Sequence, residues 1–162
     1  MGFRVSLLTA ALLVWGCGSP PPRGPTVGAP LPEVPAIDLT RRPASLTGVT
    51  RGRVALVALW ATWCTSCERE LDELNRLQAE VGNTALVVGV AVGEPYAKVA
   101  EYLRPRRLTY AQLVDEDFKL ADALGTNRVP TTLVVNRNGQ LRYAGGALDR
   151  DALSALRQAL AE

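Results

Sequence analysis

Two cysteines, Cys64 and Cys67, are separated by two residues and are the most direct candidates for chemistry in this chain. An apolar run over residues 54–59 precedes them, and a helical pattern over residues 68–81 follows them. A C-x-x-C pair at the start of a helix can close a small disulfide ring, and the helix N-terminus favours the thiolate form of Cys64. The spacing therefore predicts a redox site.

A zinc site and a purely structural disulfide are the alternatives for this pair. A four-ligand zinc site needs two further ligands, but the chain has no histidine and only one other cysteine, Cys17. A structural disulfide that closes so small a ring gains little loop entropy. We therefore expect a catalytic dithiol and no bound metal. The lack of histidine also excludes Ser-His-Asp and Cys-His nucleophile pairs.

The composition is that of a soluble globular protein. Of the 162 residues, 48% are apolar and 21% are charged, which allows one domain with a normal core. The 18 basic and 16 acidic residues leave a formal charge of only +2. Nothing in this balance indicates a nucleic-acid partner.

The N-terminus indicates export. Residues 1–16 contain a basic Arg4 and an apolar run that is too short for a transmembrane helix, which is typical of a signal peptide. The following Gly16-Cys17 resembles the lipobox of bacterial lipoproteins, which implies that Cys17 is lipidated, although Trp15 departs from that pattern. A plain secreted protein or an uncleaved anchor are the alternatives.

Residues 17–35 predict a tether between the anchor and the domain. They contain seven of the eleven prolines, which remove backbone donors and favour an extended chain. The last part, residues 27–32, can already lie against the domain as part of an edge strand. The domain itself is predicted to span residues 36–162.

The remaining pattern predicts a mixed α/β sheet with helices on both faces. Two continuous apolar runs are typical of buried parallel strands, and the turn at Asn138-Gly139 predicts a hairpin. Asp149 is the expected N-cap of the last helix. The predicted strands cover residues 36–39, 44–46, 54–59, 85–92, 112–114, 129–135 and 141–144, and the predicted helices cover residues 68–81, 96–103, 118–124 and a segment after 149.

Three features together resemble one family. They are residues 60–67 (W-A-T-W-C-T-S-C), the β-rich strand that begins Val129-Pro130-Thr131, and the Asn138-Gly139 turn. This combination resembles the thioredoxin fold and, within it, the membrane-tethered TlpA/ResA-like thiol-disulfide oxidoreductases. The resemblance implies a central mixed sheet flanked by helices, an N-terminal hairpin and a central helix-strand insertion.

The resemblance also implies roles for individual residues. Cys64 would be the nucleophile and Cys67 the resolving thiol, so that the redox group is their disulfide and no cofactor is needed. Pro130 would be a cis-proline that leaves the backbone of Val129 free to pair with a substrate, although an ordinary trans proline is the alternative. Trp63 would shape the substrate surface.

Glu70 extends the motif to C-x-x-C-x-x-E. Helical side chains lean toward the helix N-terminus, which would bring this carboxylate toward the dithiol. In ResA-like proteins an acid in this pattern is implicated in proton transfer, whereas the alternative is a solvated glutamate of the first turn. Ala58 stands where thioredoxin carries a buried aspartate, which makes Glu70 more important. Thr65-Ser66 lacks the proline common in the family.

The implied function is disulfide exchange with protein substrates outside the cytoplasm, in the periplasm or at the cell surface. We expect a reductant of the cytochrome c maturation type, supplied with electrons by a membrane partner. An oxidising disulfide donor and a non-catalytic binding module are alternatives. A copper-delivery protein would need a histidine, and a peroxidase of the peroxiredoxin group would need a P-x-x-x-[ST]-x-x-C pattern, which Cys64 lacks.

Overall fold

The computed structural model describes residues 24–162. The predicted signal peptide and Cys17 therefore lie outside the described residues. Between residues 24 and 162, no helix is long and apolar enough to cross a membrane.

Strands and helices alternate along most of the described chain. Their bounds are β1 Pro35–Asp38, β2 Pro43–Ser45, α1 Leu46–Thr50, β3 Ala55–Trp60, α2 Thr65–Val81, β4 Leu86–Val92, α3 Tyr96–Leu103, β5 Ala111–Asp115, α4 Lys119–Ala123, β6 Thr131–Val135, β7 Leu141–Gly145 and α5 Arg150–Ala161. The predicted N-terminal hairpin is β1 and β2, and the predicted helix-strand insertion is α3 and β5.

A seven-stranded sheet forms the centre of the molecule, in the order β2-β1-β5-β4-β3-β6-β7. β3 pairs in parallel with β4 and antiparallel with β6, and β4 pairs in parallel with β5. The sheet is therefore mixed, as the sequence predicts. β3 lies inside the sheet between β4 and β6, which explains why all six of its residues are apolar and buried.

The side chains of β3 alternate between two cores, one on each face of the sheet. Leu56, Ala58 and Trp60 belong to the core that contains Cys64 and Cys67. The core on the other face contains Ala55, Val57 and Leu59 with residues of α4. Leu71, Leu74 and Leu77 of α2 pack in the first core, which holds the cysteine-bearing helix firmly against the sheet.

The domain begins earlier than residue 36, because the last part of the predicted tether is bound to an edge of the sheet. The amide of Gly28 donates to the carbonyl of Leu141 (2.8 Å), and the amide of Leu141 donates to the carbonyl of Ala29 (2.9 Å). Leu31 is buried in the core. These residues satisfy backbone groups that the edge strand would otherwise leave unpaired.

The short helix α1 is absent from the sequence prediction, which assigns Leu46 to a strand. The side chain of Ser45 caps this helix by accepting a hydrogen bond from the amide of Gly48 (3.1 Å), and Leu46 is buried. A five-residue helix is too short to show a hydrophobic period.

Candidate active site

Cys64 and Cys67 form a disulfide at the point where β3 leads into α2. Cys64 is the N-cap residue of α2, and its Sγ accepts a hydrogen bond from the amide of Cys67 (3.2 Å). Cys64 is 6% exposed and Cys67 is 1% exposed. The sulfur of Cys64 therefore occupies the anion-favouring position at the helix N-terminus, and Cys67 lies deeper in the core.

The segment just before β6 contains a residue, Val129, whose backbone is not paired in the sheet. The Val129–Pro130 peptide bond is cis, and Val129 packs against the core that contains both cysteines. Within residues 24–162, the amide and carbonyl of Val129 make no backbone hydrogen bond. A groove of about 690 Å³ runs along this segment, lined by residues 24–25, 125–131 and 144–146.

The two tryptophans of the motif have different environments. Trp63 is 67% exposed, so a large apolar side chain stands on the surface next to Cys64. Trp60 is buried, and its indole N–H donates to Gln112 Oε1 (3.1 Å). Trp63 is thus available to a partner molecule, whereas Trp60 supports the core.

The carboxylate of Glu70 is buried between α2, β6 and the segment before α5. Its Oε1 accepts hydrogen bonds from the amide of Leu148 (2.8 Å) and the hydroxyl of Thr132 (3.2 Å), whereas its buried Oε2 has no partner. Burial raises the pKa of Glu70, and the two hydrogen bonds oppose this effect only in part. Glu70 is therefore a buried acid and not a solvated first-turn residue.

Ala58 lies next to a hydrogen-bond partner of this acid. Ala58 is paired with Thr132 in the register of β3 and β6, and Thr132 donates to Glu70. The small side chain of Ala58 lies in the same core as the disulfide. The buried acid of this site is thus supplied by helix α2 instead of strand β3.

Glu94 is a second buried acid at the site, which the sequence analysis missed. Its carboxylate accepts hydrogen bonds from both the amide and the hydroxyl of Thr62 (each 2.6 Å), two residues before Cys64. Lys98 Nζ lies 2.6 Å from the same carboxylate. Burial would raise the pKa of Glu94, but the hydrogen bonds from Lys98 and Thr62 outweigh it and lower the pKa.

A sequence signal for Glu94 does exist. β3 and β4 are parallel neighbours, with Trp60 opposite Ala91, so the residues that follow the two strands meet at one edge of the sheet. Thr62 and Glu94 are two such residues. Polar residues after adjacent parallel strands are candidates for one site, and this rule would have identified Glu94.

Arg106 connects the end of α3 to the first turn of α2. Its guanidinium lies 3.8 Å from the ring centroid of Tyr102 and 2.6 Å from the carboxylate of Glu68. The ring of Tyr102 in turn lies 5.7 Å from that of Trp60. These contacts place a matched pair of charges close to the N-terminus of α2.

Comparisons with known proteins agree with this geometry. The AhpC/TSA family matches residues 27–144. The thiol-disulfide oxidoreductase ResA of Geobacillus thermodenitrificans is 31% identical over 117 residues, which are 72% of this chain and 67% of that protein.

Solved structures agree on the fold. A thiol:disulfide interchange protein of the thioredoxin family from Chlorobium tepidum has a TM-score of 0.68 at 22% identity, over 83% of this chain and 98% of that chain. The exposed lipoprotein thioredoxin Etrx1 of Streptococcus pneumoniae has a TM-score of 0.67 at 20% identity, over 78% of this chain and 99% of that chain. The chain therefore belongs to the AhpC/TSA family and is a thioredoxin-fold thiol-disulfide oxidoreductase of the TlpA/ResA type.

Proposed function

We propose that this protein reduces disulfides in protein substrates outside the cytoplasm, with Cys64 as the nucleophile and Cys67 as the resolving thiol. One observation carries the proposal: the disulfide lies at the N-terminus of α2, with Cys64 as the N-cap and Cys67 buried behind it. This asymmetry gives the two thiols different tasks.

In the first step, the thiolate of Cys64 attacks one sulfur of a substrate disulfide. The substrate S–S bond breaks, a mixed disulfide forms with Cys64, and the departing substrate thiolate takes a proton from solvent. The amide of Cys67, 3.2 Å from Cys64 Sγ, and the helix N-terminus both stabilise the attacking thiolate.

In the second step, Cys67 loses its proton and attacks Cys64 Sγ. The mixed disulfide breaks, the second substrate thiolate leaves and is protonated, and the Cys64–Cys67 disulfide forms. Glu70 is the base in this step, because a buried carboxylate with a raised pKa is closer to the operating pH than an exposed one. It lies one helical turn from Cys67 on the same helix.

The substrate is an extended protein segment that contains the disulfide. The unpaired backbone of Val129 allows such a segment to add as a short strand, with Pro130 held in the cis form beside it. The exposed ring of Trp63, next to Cys64 in the chain, supplies apolar contact.

Each cycle leaves the protein oxidised, so a donor must return two electrons. We assign this task to a membrane electron-transfer partner. Export by the signal peptide of residues 1–16 and lipidation of Cys17 would hold the domain at the membrane, with the following prolines as the tether. The similarity to the thiol-disulfide oxidoreductase ResA supports a location outside the cytoplasm. The reductive, cytochrome c maturation type of function is part of the proposal.

A synthetic peptide with a C-x-x-C-H disulfide, the sequence type to which c-type haem is attached, tests this proposal. Reduced parent protein should convert the peptide to its dithiol. The Cys67→Ser variant should stop at a mixed disulfide whose mass is the sum of protein and peptide, and dithiothreitol should release it. Cys64→Ser is the matched control and should form no adduct. Failure of Cys67→Ser to trap the peptide would contradict the proposal.

An oxidising disulfide donor is the second candidate, because a serine hydroxyl lies close to Cys64 Sγ and would stabilise the reduced pair. The AhpC/TSA family name does not favour a peroxidase here, since the peroxidatic pattern is absent around Cys64. Donor and reductant differ in the direction of electron flow and are separated by the reduction potential of the pair.

A further inference from the structure

Ser66 is the one residue between the cysteines whose side chain contacts the reacting sulfur in this structure. Its Oγ lies 3.4 Å from Cys64 Sγ. The same sulfur accepts a hydrogen bond from the amide of Cys67 (3.2 Å). Ser66 is exposed and lies in the first turn of α2. The hydroxyl of its neighbour Thr65 makes no hydrogen bond within residues 24–162, although Thr65 lies in the same turn.

The hydroxyl of Ser66 is expected to matter more in the reduced protein than in the oxidised one. A hydroxyl proton can rotate toward whichever neighbour accepts best. A disulfide sulfur is a weak acceptor, whereas a thiolate carries a full charge, and hydrogen bonds to charged acceptors are the stronger ones. A donor that binds only the charged form lowers the pKa of that group.

We propose that Ser66 donates its hydroxyl to the Cys64 thiolate and thereby makes this pair more oxidising than a residue without a donor would. The proposal rests on the proposed role of Cys64 as nucleophile. Reduction adds two electrons and one proton to the disulfide, which gives the Cys64 thiolate and the Cys67 thiol. Ser66 keeps its own proton throughout and stabilises only the product side of this half-reaction.

The charged groups around the pair do not change with Ser66. In the first turn of α2, Glu68 is paired with Arg106 from the end of α3 (2.6 Å), and after β4, Glu94 is paired with Lys98 (2.6 Å). The remaining charged groups are Arg69, Glu70, Asp72, Glu73, Arg76 and Glu80 on α2, Glu101 on α3, and Arg128 along the groove. A Ser66 variant therefore isolates the hydroxyl from the electrostatics of the site.

The test compares Ser66→Ala with two matched variants, Thr65→Ala and Ser66→Thr. The full chain carries Cys17→Ser throughout, so that the pair contains the only cysteines. For the thiol pKa, Cys67→Ala is added and the rate of alkylation by iodoacetamide is followed against pH. For the reduction potential, Cys67 is kept and the protein is equilibrated with glutathione buffers.

Loss of one hydrogen bond predicts that Ser66→Ala lowers the acid dissociation constant of Cys64 by about threefold to tenfold. The same factor in the redox equilibrium makes the potential more negative by about 15 to 30 mV, at 29.6 mV per tenfold change. Ser66→Thr restores the hydroxyl and should return both values toward the parent. Thr65→Ala should leave both values at those of the parent.

Three results would overturn the proposal: an unchanged pKa in Ser66→Ala, an equal shift in Thr65→Ala, or a potential that becomes less negative in Ser66→Ala. Thermal unfolding of each variant checks that it is folded. The absence of any reversible redox couple in the parent would instead overturn the proposed function. A reversible couple with an unmoved pKa in Ser66→Ala would overturn only the role of Ser66.

Discussion

Replacing Glu70 with Gln removes the negative charge of a buried carboxylate while keeping its shape. In the parent, Oε1 accepts from Leu148 and Thr132, and Oε2 is buried without a partner. Gln keeps an oxygen for the two donors. Burying the charged oxygen without a partner lowers the free energy of unfolding by about 1 to 3 kcal/mol. The NH2 group of Gln would also be unpaired there, so the substitution removes only part of this penalty. We expect the free energy of unfolding of the variant to exceed that of the parent by about 1 kcal/mol at pH 8.

This gain should depend on pH. The folded pKa of Glu70 is raised above its unfolded value, so the folded state binds the proton more tightly. The stability that protonated Glu70 contributes is fully present below the unfolded pKa, at about pH 4, and is lost as the pH rises through the folded pKa. Glu70→Gln does not titrate, so its advantage over the parent should grow with pH.

Urea unfolding of the oxidised proteins, followed by far-UV circular dichroism from pH 4 to pH 8, measures this difference. Glu80→Gln is the charge-matched control, since Glu80 is exposed near the other end of the same helix, and it should not reproduce the gain of Glu70→Gln at pH 8. A constant difference for Glu70→Gln, or a parent that gains stability over the variant as the pH rises, would refute the assignment of a raised pKa to this buried acid.

The same variant should slow the second chemical step, because an amide cannot accept the proton of Cys67. General-base catalysis contributes at least about a hundredfold, so we expect release of a trapped peptide to slow by about that factor. The measurement is single-turnover release followed by mass spectrometry. Equal release rates for the parent and Glu70→Gln would remove Glu70 from the mechanism, whatever its effect on stability.

Three further changes test the supports of the site. Glu94→Gln leaves both donors of Thr62 without a charged acceptor and sets an NH2 group in place of one acceptor oxygen, so urea unfolding should show a loss of about 1 to 3 kcal/mol. Asp149→Ala removes the N-cap of α5 and should cost about 1 to 2 kcal/mol; because the pKa of Asp149 is lowered, the parent's advantage should shrink as the pH falls through the acid range. Leu74→Ala opens a cavity under α2 and should cost about 2 to 5 kcal/mol, and a loss below about 1 kcal/mol would contradict its burial.

Much of the fold is predictable because its elements have strong local signals. β3 and β4 are continuous apolar runs, α2 places Leu71, Leu74 and Leu77 on one face, and Asn138-Gly139 marks the hairpin between β6 and β7. Helix α1 has too few residues for such a signal. The sequence predicts that residues 27–32 can lie against the domain, but not that they pair with β7, because that free edge exists only in the folded sheet.

The candidate site is also predictable only in part. Cys64, Cys67 and Glu70 are spaced three residues apart on one helix, so the sequence motif alone places them close together. The partners that define the environment of the acids come from far along the chain: Thr132 and Leu148 reach Glu70 across 62 and 78 residues, and Glu94 reaches Thr62 across 32. No local pattern contains such contacts, because they form only when distant parts of the chain meet in the folded sheet. The contact of Glu94 with Thr62 is the exception, since the order of the parallel strands β3 and β4 indicates it.

The reduction potential of the Cys64–Cys67 pair tests the central claim most directly. The full chain with Cys17→Ser would be equilibrated against glutathione or dithiothreitol buffers, and the fraction of free thiol measured. A reductant of the proposed type should give a value of about −270 mV or lower. A value near about −120 mV would contradict the reductive function and indicate a disulfide donor, and the lack of any reversible couple would contradict catalysis by this pair.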